Sequence, residues 1–438
     1  MNVEYLGARE IRGSLMILEG IDDAAYDESV RISLTDRASD ASPLWGRVIR
    51  IDGDVAVVLV FEGTRDLSLA NTVTRFTGRP MEMPLSLELM GRTFDGMGRP
   101  KDGLGNVHTR LRRGINGIPI NPTQRDYPRG HVVTGFSAID GLATLVRGQK
   151  LPIFTGDGLP HDKLAAMIAA NLCTPSTAVV FAAMGVKHDT AEFFRRSFSE
   201  SGALERSVLF LNLANDPPTE RIITPRCALT AAEYLAFDRG MDVLAILTDM
   251  TAYAEALREI SSARGEIPSR KGYPGYLYSD LASLYERAGI IKGKRGSLTQ
   301  IPILTMPGDD ITHPVADFTG YITEGQIVLD RVLYQRGIYP PINILPSLSR
   351  LMKDGIGGGK TRKDHPDLAK RLFSSYAKVS DARAILSIVG EEDLSEEDKS
   401  TLVFGQRFEQ EFINQREGES RTMEETLDLG WDLLSSVL

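Results

Sequence analysis

The stretch Leu151–Leu164, LPIFTGDGLPHDKL, has the residue types and spacing of a phosphate-handling turn. An apolar run, Leu151–Phe154, stops at Gly156, and an apolar-periodic segment starts at Leu164 after a short Gly/Pro turn. Strand, glycine turn and helix form the setting in which backbone N–H groups hold phosphate. The full chemistry needs G-x-x-x-x-G-K-[ST], with lysine for the β/γ charge and a hydroxyl for Mg²⁺. Counting from Gly156 puts His161, Asp162 and Lys163 in the last three places, and counting back from Lys163 puts Asp162 and Leu164 beside it. No register supplies the grip. Gly156, Gly158 and His161 therefore mark a degenerate phosphate position with weak binding or none, and Asp157 and Asp162 add negative charge where phosphates would lie.

Other candidates have simpler roles beside the chemical ones. Asp249 ends the apolar run VLAILTD, where a carboxylate could hold Mg²⁺. Without a lysine and hydroxyl in the turn, the N-cap of a following helix is the better reading. DGIGGGKT at 354–361 ends like a phosphate loop, but Asp354 stands at the first glycine position. The polar RKDHPD that follows, broken by Pro366, is not the needed helix, and no buried strand precedes the stretch. It reads as a flexible glycine loop. Arg350, in INILPSLSRLMKDGIG, offers a fork that matches phosphate oxygens. By local spacing alone it reads as half of an exposed ion pair. The six histidines are scattered and form no metal-ligand spacing, and His313 reads as a loop hydrogen-bonder. Asp309 and Asp310 are adjacent carboxylates whose side chains point apart, and no hydrolase nucleophile arrangement is present.

The elements that must position these residues fall into three blocks. Leu15–Leu18, Val30–Leu34, Trp45–Ile51 and Val55–Phe61 are β-rich runs with turns at Gly20–Asp23 and Asp52–Asp54, which suggests a small barrel over residues 1–75. Residues 76–130 are rich in Gly and Pro, and FDGMGRPKDG within them reads as turns. From about 131, the runs Leu151–Phe154, Ala178–Met184, Val208–Leu213, Val243–Leu247 and Ile301–Met306 fit strands buried on both faces. Between them, Ala252, Ala256, Leu257, Ile260 and Ala263 mark a helical face, so residues 76–345 are expected to form a parallel α/β domain. From about 346 strands are expected to stop. Leu372, Tyr376, Val379 and the segment from Arg383 to Val389 fit helices, Ser395–Asp398 is a helix start, and Leu402, Phe404, Phe408 and Phe412 follow at near-helical spacing. Residues 346–438 thus read as a helical domain.

Composition narrows the function classes. The chain has 438 residues with 42% hydrophobic and 25% charged residues, enough for two or three domains of an ordinary soluble protein. A net charge of −9 argues against broad nucleic-acid binding. Two cysteines, Cys173 and Cys227, argue for a reducing compartment over a disulfide framework. The N-terminus has no signal pattern and no apolar run approaches the ~20 residues that cross a bilayer, so any work at a membrane is expected through partners.

Four strings carry a resemblance: GFSAIDGLATLVRGQKLPIFTGDGLPH at 135–161, LTDMTAYAEALREISSARGEIPSRKGYPGYLYSDLASLYERAG at 247–289, PGDDITHPVADFTGYITEGQI at 307–327 and PPINILPSLSRLMKDGIGGGKTRKDHPDL at 340–368. The chain resembles, over nearly its whole length, the B subunit of V/A-type rotary ATPases, which carries a non-catalytic nucleotide site. The degenerate turn ending in GLPH distinguishes it from the catalytic A subunit. The resemblance implies a β-barrel crown, a RecA-like α/β core and a C-terminal helical domain. It implies an alternating A3B3 ring around a central rotor stalk, with a peripheral stalk, on the cytoplasmic side of a membrane. ATP or ADP with Mg²⁺ would be held mainly by the A subunit, and rotation would be coupled to H⁺ or Na⁺ transport. By position in PSLSR, Arg350 would be the arginine supplied in trans to the A-subunit nucleotide. Two other readings stay open: an autonomous RecA-type ring ATPase, and a purely structural ring spacer.

Overall fold

The computed structural model describes residues 4–35, 43–172, 174, 176–390 and 392–435. Seven short strands open the chain: β1 Glu4–Leu6, β2 Glu10–Arg12, β3 Leu15–Leu18, β4 Glu28–Leu34, β5 Leu44–Asp52, β6 Val55–Val60 and β7 Thr72–Pro80. They pair antiparallel in the order β1-β7-β4-β5-β6-β3-β2. The two edge strands, β1 and β2, are joined by only Gly7–Arg9, so the sheet must curl until its edges approach. Met16, Leu18, Val30, Ile32, Val48, Val58 and Val60 fill the inside. The four strands expected from the sequence are all present. β7 gave no apolar signal because inward positions Thr72 and Thr74 are polar yet fully buried. It runs past residue 75 to Pro80 because β4 pairs with it along that length.

A second sheet carries the site. Its strands are β8 Thr93–Asp95, β9 Ile153–Gly156, β10 Thr177–Val186, β11 Ser207–Leu213, β12 Asp242–Thr248, β13 Ser297–Met306, β14 Gly325–Leu329 and β15 Ile342–Ser349. The order is β15-β14-β9-β13-β12-β10-β11-β8. All neighbours are parallel except the β14–β15 pair. Helices follow the strands: α1 His161–Leu172, α2 His188–Glu200, α3 Thr224–Glu233, α4 Met250–Ala263, α5 Leu277–Tyr285 and α6 Pro314–Ile322. Both faces are covered. Along β10, Val180, Ala182 and Met184 enter one apolar cluster while Val179, Phe181 and Ala183 enter the other. That is why these strands read as unbroken apolar runs. On α4, Ala256, Leu257 and Ile260 are buried as expected, but Ala263 is exposed and Ala252 half-buried.

The Gly/Pro-rich region hides one strand of this sheet. β8 is three residues long, too short to show a period, and pairs with β11 at the edge. The FDGMGRPKDG segment leaves β8 as a turn, with the Asp95 carboxylate accepting from the N–H groups of Met97 and Arg99 at 3.0 and 2.8 Å.

Strands do not stop at 346. β15 runs to Ser349, so a strand does precede the DGIGGGKT loop, but it is a partly exposed edge strand and not the buried strand that a phosphate loop follows. Pro346 is tolerated because β15 is an edge strand, where a missing N–H breaks no ladder. Pro366 also corrects the reading. It does not break the segment but sits in the first turn of α7, His365–Val389, where its absent N–H has no intrahelical partner to lose. Two further helices follow, α8 Glu396–Arg407 and α9 Met423–Ser435. Ser395 caps α8, its hydroxyl accepting from the Asp398 N–H. Phe404, Phe408 and Phe412 stack in series at 5.7 and 5.2 Å. Buried Glu409 ties this bundle together through Arg383 at 2.9 Å and the Tyr376 hydroxyl at 2.8 Å, with Arg336 as a third partner. No helix among the described residues is long and apolar enough to cross a membrane.

Candidate functional site

Three parallel strands, β9, β13 and β12, lie side by side, and their carboxyl ends carry Gly156, Pro307 and Asp249. This edge of an open α/β sheet is where ligands bind in such folds. The expected strand–turn–helix is present: β9 ends at Gly156, Gly158 turns the chain with φ +77°, and α1 begins at His161. His161 is not aimed outward as a grip. Its Nδ1–H donates to the Leu159 carbonyl at 3.0 Å, and Nε2 lies 3.4 Å from Asp162. Burial pushes the Asp162 carboxyl up, His161 opposes this and nearby Asp249 adds to it. Lys163 points away to Glu417 at 3.5 Å.

Asp249 caps α4. Its carboxylate accepts from the N–H of Thr251 at 2.7 Å, from the N–H of Thr305 at 3.1 Å, and from the Thr305 hydroxyl. Burial pushes its pKa up, and the hydrogen bonds from Thr305 and Thr251 oppose that. Its oxygens serve the ends of β12 and β13, as the N-cap reading expects.

Sequence reasoning missed the residues that fill the mouth of the turn. Arg331 Nε donates to Asp309 Oδ2 at 2.7 Å and Nη2 to Asp309 Oδ1 at 2.9 Å. The same Nη2 donates to the Asp157 carbonyl at 2.9 Å. A Cβ at Gly156 would collide with Asp309 Oδ1. Asp310 turns the other way, to Lys271 at 3.1 Å, so the adjacent carboxylates do point apart. Arg331 follows the strand end Leu329-Asp330, a cue that means something only once β14 is known to neighbour β9. The turn therefore does not fit a nucleotide's phosphates. It lacks the lysine and hydroxyl, and a carboxylate already stands against its first glycine.

Arg350 lies elsewhere. Its N–H donates to the Glu324 carbonyl at 2.9 Å, and its Nη1 lies 3.4 Å from the Thr323 carbonyl. It is exposed and, among the described residues, forms no ion pair, so the exposed-salt-bridge reading does not hold. Glu324 is fixed in turn, exchanging backbone and side-chain bonds with buried Lys150. The glycine loop beyond it is self-contained: Lys360 Nζ donates to the Asp354 carbonyl at 2.6 Å and the Thr361 hydroxyl accepts from the Gly357 N–H at 2.8 Å. Cys173 lies outside the described residues, and Cys227 is buried with a free thiol. Among the described residues no group of three His, Cys, Asp or Glu side chains could hold a metal ion.

A barrel, a RecA-like parallel sheet with an incomplete phosphate turn, and a helical C-terminal part define a subunit of the ATP-synthase type. Family models agree in all three parts. The ATP synthase alpha/beta family nucleotide-binding domain matches residues 135–349, that family's beta-barrel domain 9–78, and the C-terminal domain of V and A type ATP synthase 354–438. The chain is 58% identical over 438 residues to the V-type ATP synthase beta chain of Halothermothrix orenii, covering 99% of this chain and 94% of that one. It is 55% identical over 436 residues to the B subunit of the A-type ATP synthase of Aeropyrum pernix, covering 99% and 93%. The solved structure of the ATP synthase subunit NeqB from Nanoarcheaum equitans matches with a TM-score of 0.77 at 42% identity, over 94% of this chain and 99% of that one. The chain belongs to the ATP synthase alpha/beta family, among the B subunits (beta chains) of its V and A types.

Proposed function

We propose that this chain is the non-catalytic regulatory subunit in the soluble head of a V/A-type rotary ATPase, and that Arg350 completes a catalytic site held mainly by a neighbouring A subunit. The observation that carries the reading is the placement of Arg350: an exposed guanidinium without a carboxylate partner among the described residues, at the sheet end opposite the chain's own turn. A nucleotide at Gly156 is out of its reach, so its phosphate partner comes from another subunit. Phosphoryl transfer spreads charge over the γ-phosphoryl oxygens, and an arginine supplied in trans neutralises it. Closing or opening the interface then switches chemistry on or off, which is what a rotor needs.

In this reading the chain alternates with A subunits around a central rotor stalk, braced by a peripheral stalk, and sits peripheral to the membrane on the cytoplasmic side. ATP or ADP with Mg²⁺ belongs to the A–B interface and is held chiefly by the A subunit. Hydrolysis or synthesis is coupled to H⁺ or Na⁺ transport through the rotor. The test is the Mg-ATPase of a ring reconstituted with its catalytic partner, wild type against Arg350→Ala, after equal assembly has been verified. Loss of about 10³-fold or more in turnover is expected. Unchanged turnover would leave the chain a scaffold.

A further inference from the structure

Asp309, in the turn after β13, and Arg331, which begins the short helix Arg331–Gln335 after β14, meet over the first glycine of the degenerate turn. Arg331 makes a bidentate fork to the carboxylate, the geometry with which a guanidinium also holds phosphate. The pair is part-exposed, with side-chain exposures of 39% and 43%, so it faces the solvent from which an anion would arrive. Asp309 adopts φ +57°, a conformation uncommon for a residue with a side chain but tolerated by Asp and Asn. Gly156 is the one residue type that leaves room for the carboxylate.

We infer that Asp309 is an internal plug of the phosphate position: its carboxylate occupies the oxyanion place over Gly156, and Arg331 is the counter-cation that would otherwise bind phosphate. A tethered carboxylate is present at high effective concentration, so free phosphates at millimolar levels compete poorly with it. Asp157, whose carboxylate adds to the negative field at Arg331, reinforces the exclusion. The missing lysine and hydroxyl explain why this turn would hold a nucleotide weakly. The plug explains why it would exclude even a simple oxyanion, whatever the role of Arg350.

The test uses the full chain and inorganic pyrophosphate, with binding followed by titration calorimetry at low salt. Wild type is expected to show no saturable binding. Asp309→Asn keeps the shape and backbone preference but removes the charge, and pyrophosphate affinity should rise by about tenfold or more over wild type. Asp157→Asn/Asp309→Asn should rise further. Adding Arg331→Gln to that double variant should abolish the gain. Circular dichroism establishes that each variant is folded, and either asparagine variant suffices for the comparison. The plug is overturned if wild type binds pyrophosphate as tightly as the variants, if neither asparagine variant gains affinity, or if the gain survives Arg331→Gln.

Discussion

Arg350 and Gly156 lie at opposite ends of the same sheet. β15 runs antiparallel to β14, with Ser349 opposite Gly325, while β14 runs parallel to β9, with Ile327 opposite Ile153. Arg350 is therefore level with Glu324 and Lys150, and the six residue steps from Lys150 to Gly156 span about 20 Å of extended chain. An arginine side chain does not cross that distance. The chain presents an arginine on one end of its sheet and a plugged turn on the other.

Arg350→Lys should not rescue the Arg350→Ala ring. Lysine keeps the charge but loses the planar fork that spans two phosphoryl oxygens. Turnover of the reconstituted ring should stay at least about tenfold below wild type, with assembly and nucleotide affinity much less affected. Single-turnover and steady-state assays separate these quantities.

Gly156→Ala should destabilise the chain by about 1–3 kcal/mol, because the new methyl group meets Asp309 and Arg331. In an Asp309→Ala background the same change should cost about 1 kcal/mol less, since the carboxylate is gone. A double-mutant cycle by urea unfolding measures the difference. Independent effects would mean that the carboxylate does not rest on the glycine.

Asp249→Asn should leave stability within about 0.5 kcal/mol of wild type, because asparagine caps a helix as well as aspartate does, whereas Asp249→Ala should cost about 1–2 kcal/mol. Unfolding of the isolated chain reads both. A metal-holding carboxylate would instead make the asparagine variant as defective as the alanine one in the Mg²⁺ dependence of the ring's activity.

The junction between barrel and core should soften as pH rises toward neutrality. Arg99 gathers Asp95 at 2.8 Å, Glu62 at 3.0 Å and Glu220 at 3.8 Å, and the Thr219 hydroxyl donates to the Phe61 carbonyl beside them. Burial pushes the Glu220 carboxyl up to about 7, aided by Asp95, Asp216 and Glu62 and opposed by Arg99. Burial raises Glu62 too. The folded state thus binds the Glu220 proton more tightly than the unfolded chain. Its stability contribution is fully present below the unfolded carboxylate's ordinary range, near 4.5, and is lost as pH rises through about 7. Thermal melts from pH 5 to 8 should show this decline, and Glu220→Gln should flatten it.

Much of the frame was legible because it is locally encoded. Strands buried on both faces read as apolar runs such as Ala178–Met184, and Ser395 with acids behind it reads as a helix start. The elements that escaped lacked a local period. β8 has three residues, and the inward face of β7 carries threonines that are buried without being apolar.

The sequence by itself determined that the turn at 156–163 has no lysine or hydroxyl where a nucleotide needs them, and its long strings determined the family. Only the tertiary structure decided what stands in the turn and where Arg350 points. Asp309 and Arg331 are far from Gly156 along the chain, and strand order alone sets β13 and β14 on either side of β9 and brings them together. Arg350 faces away from the turn because β15 enters the sheet antiparallel. Periodicity records which face of an element is buried, but not which neighbour that element takes or in which direction it runs. Those are set by packing among segments that the chain keeps far apart.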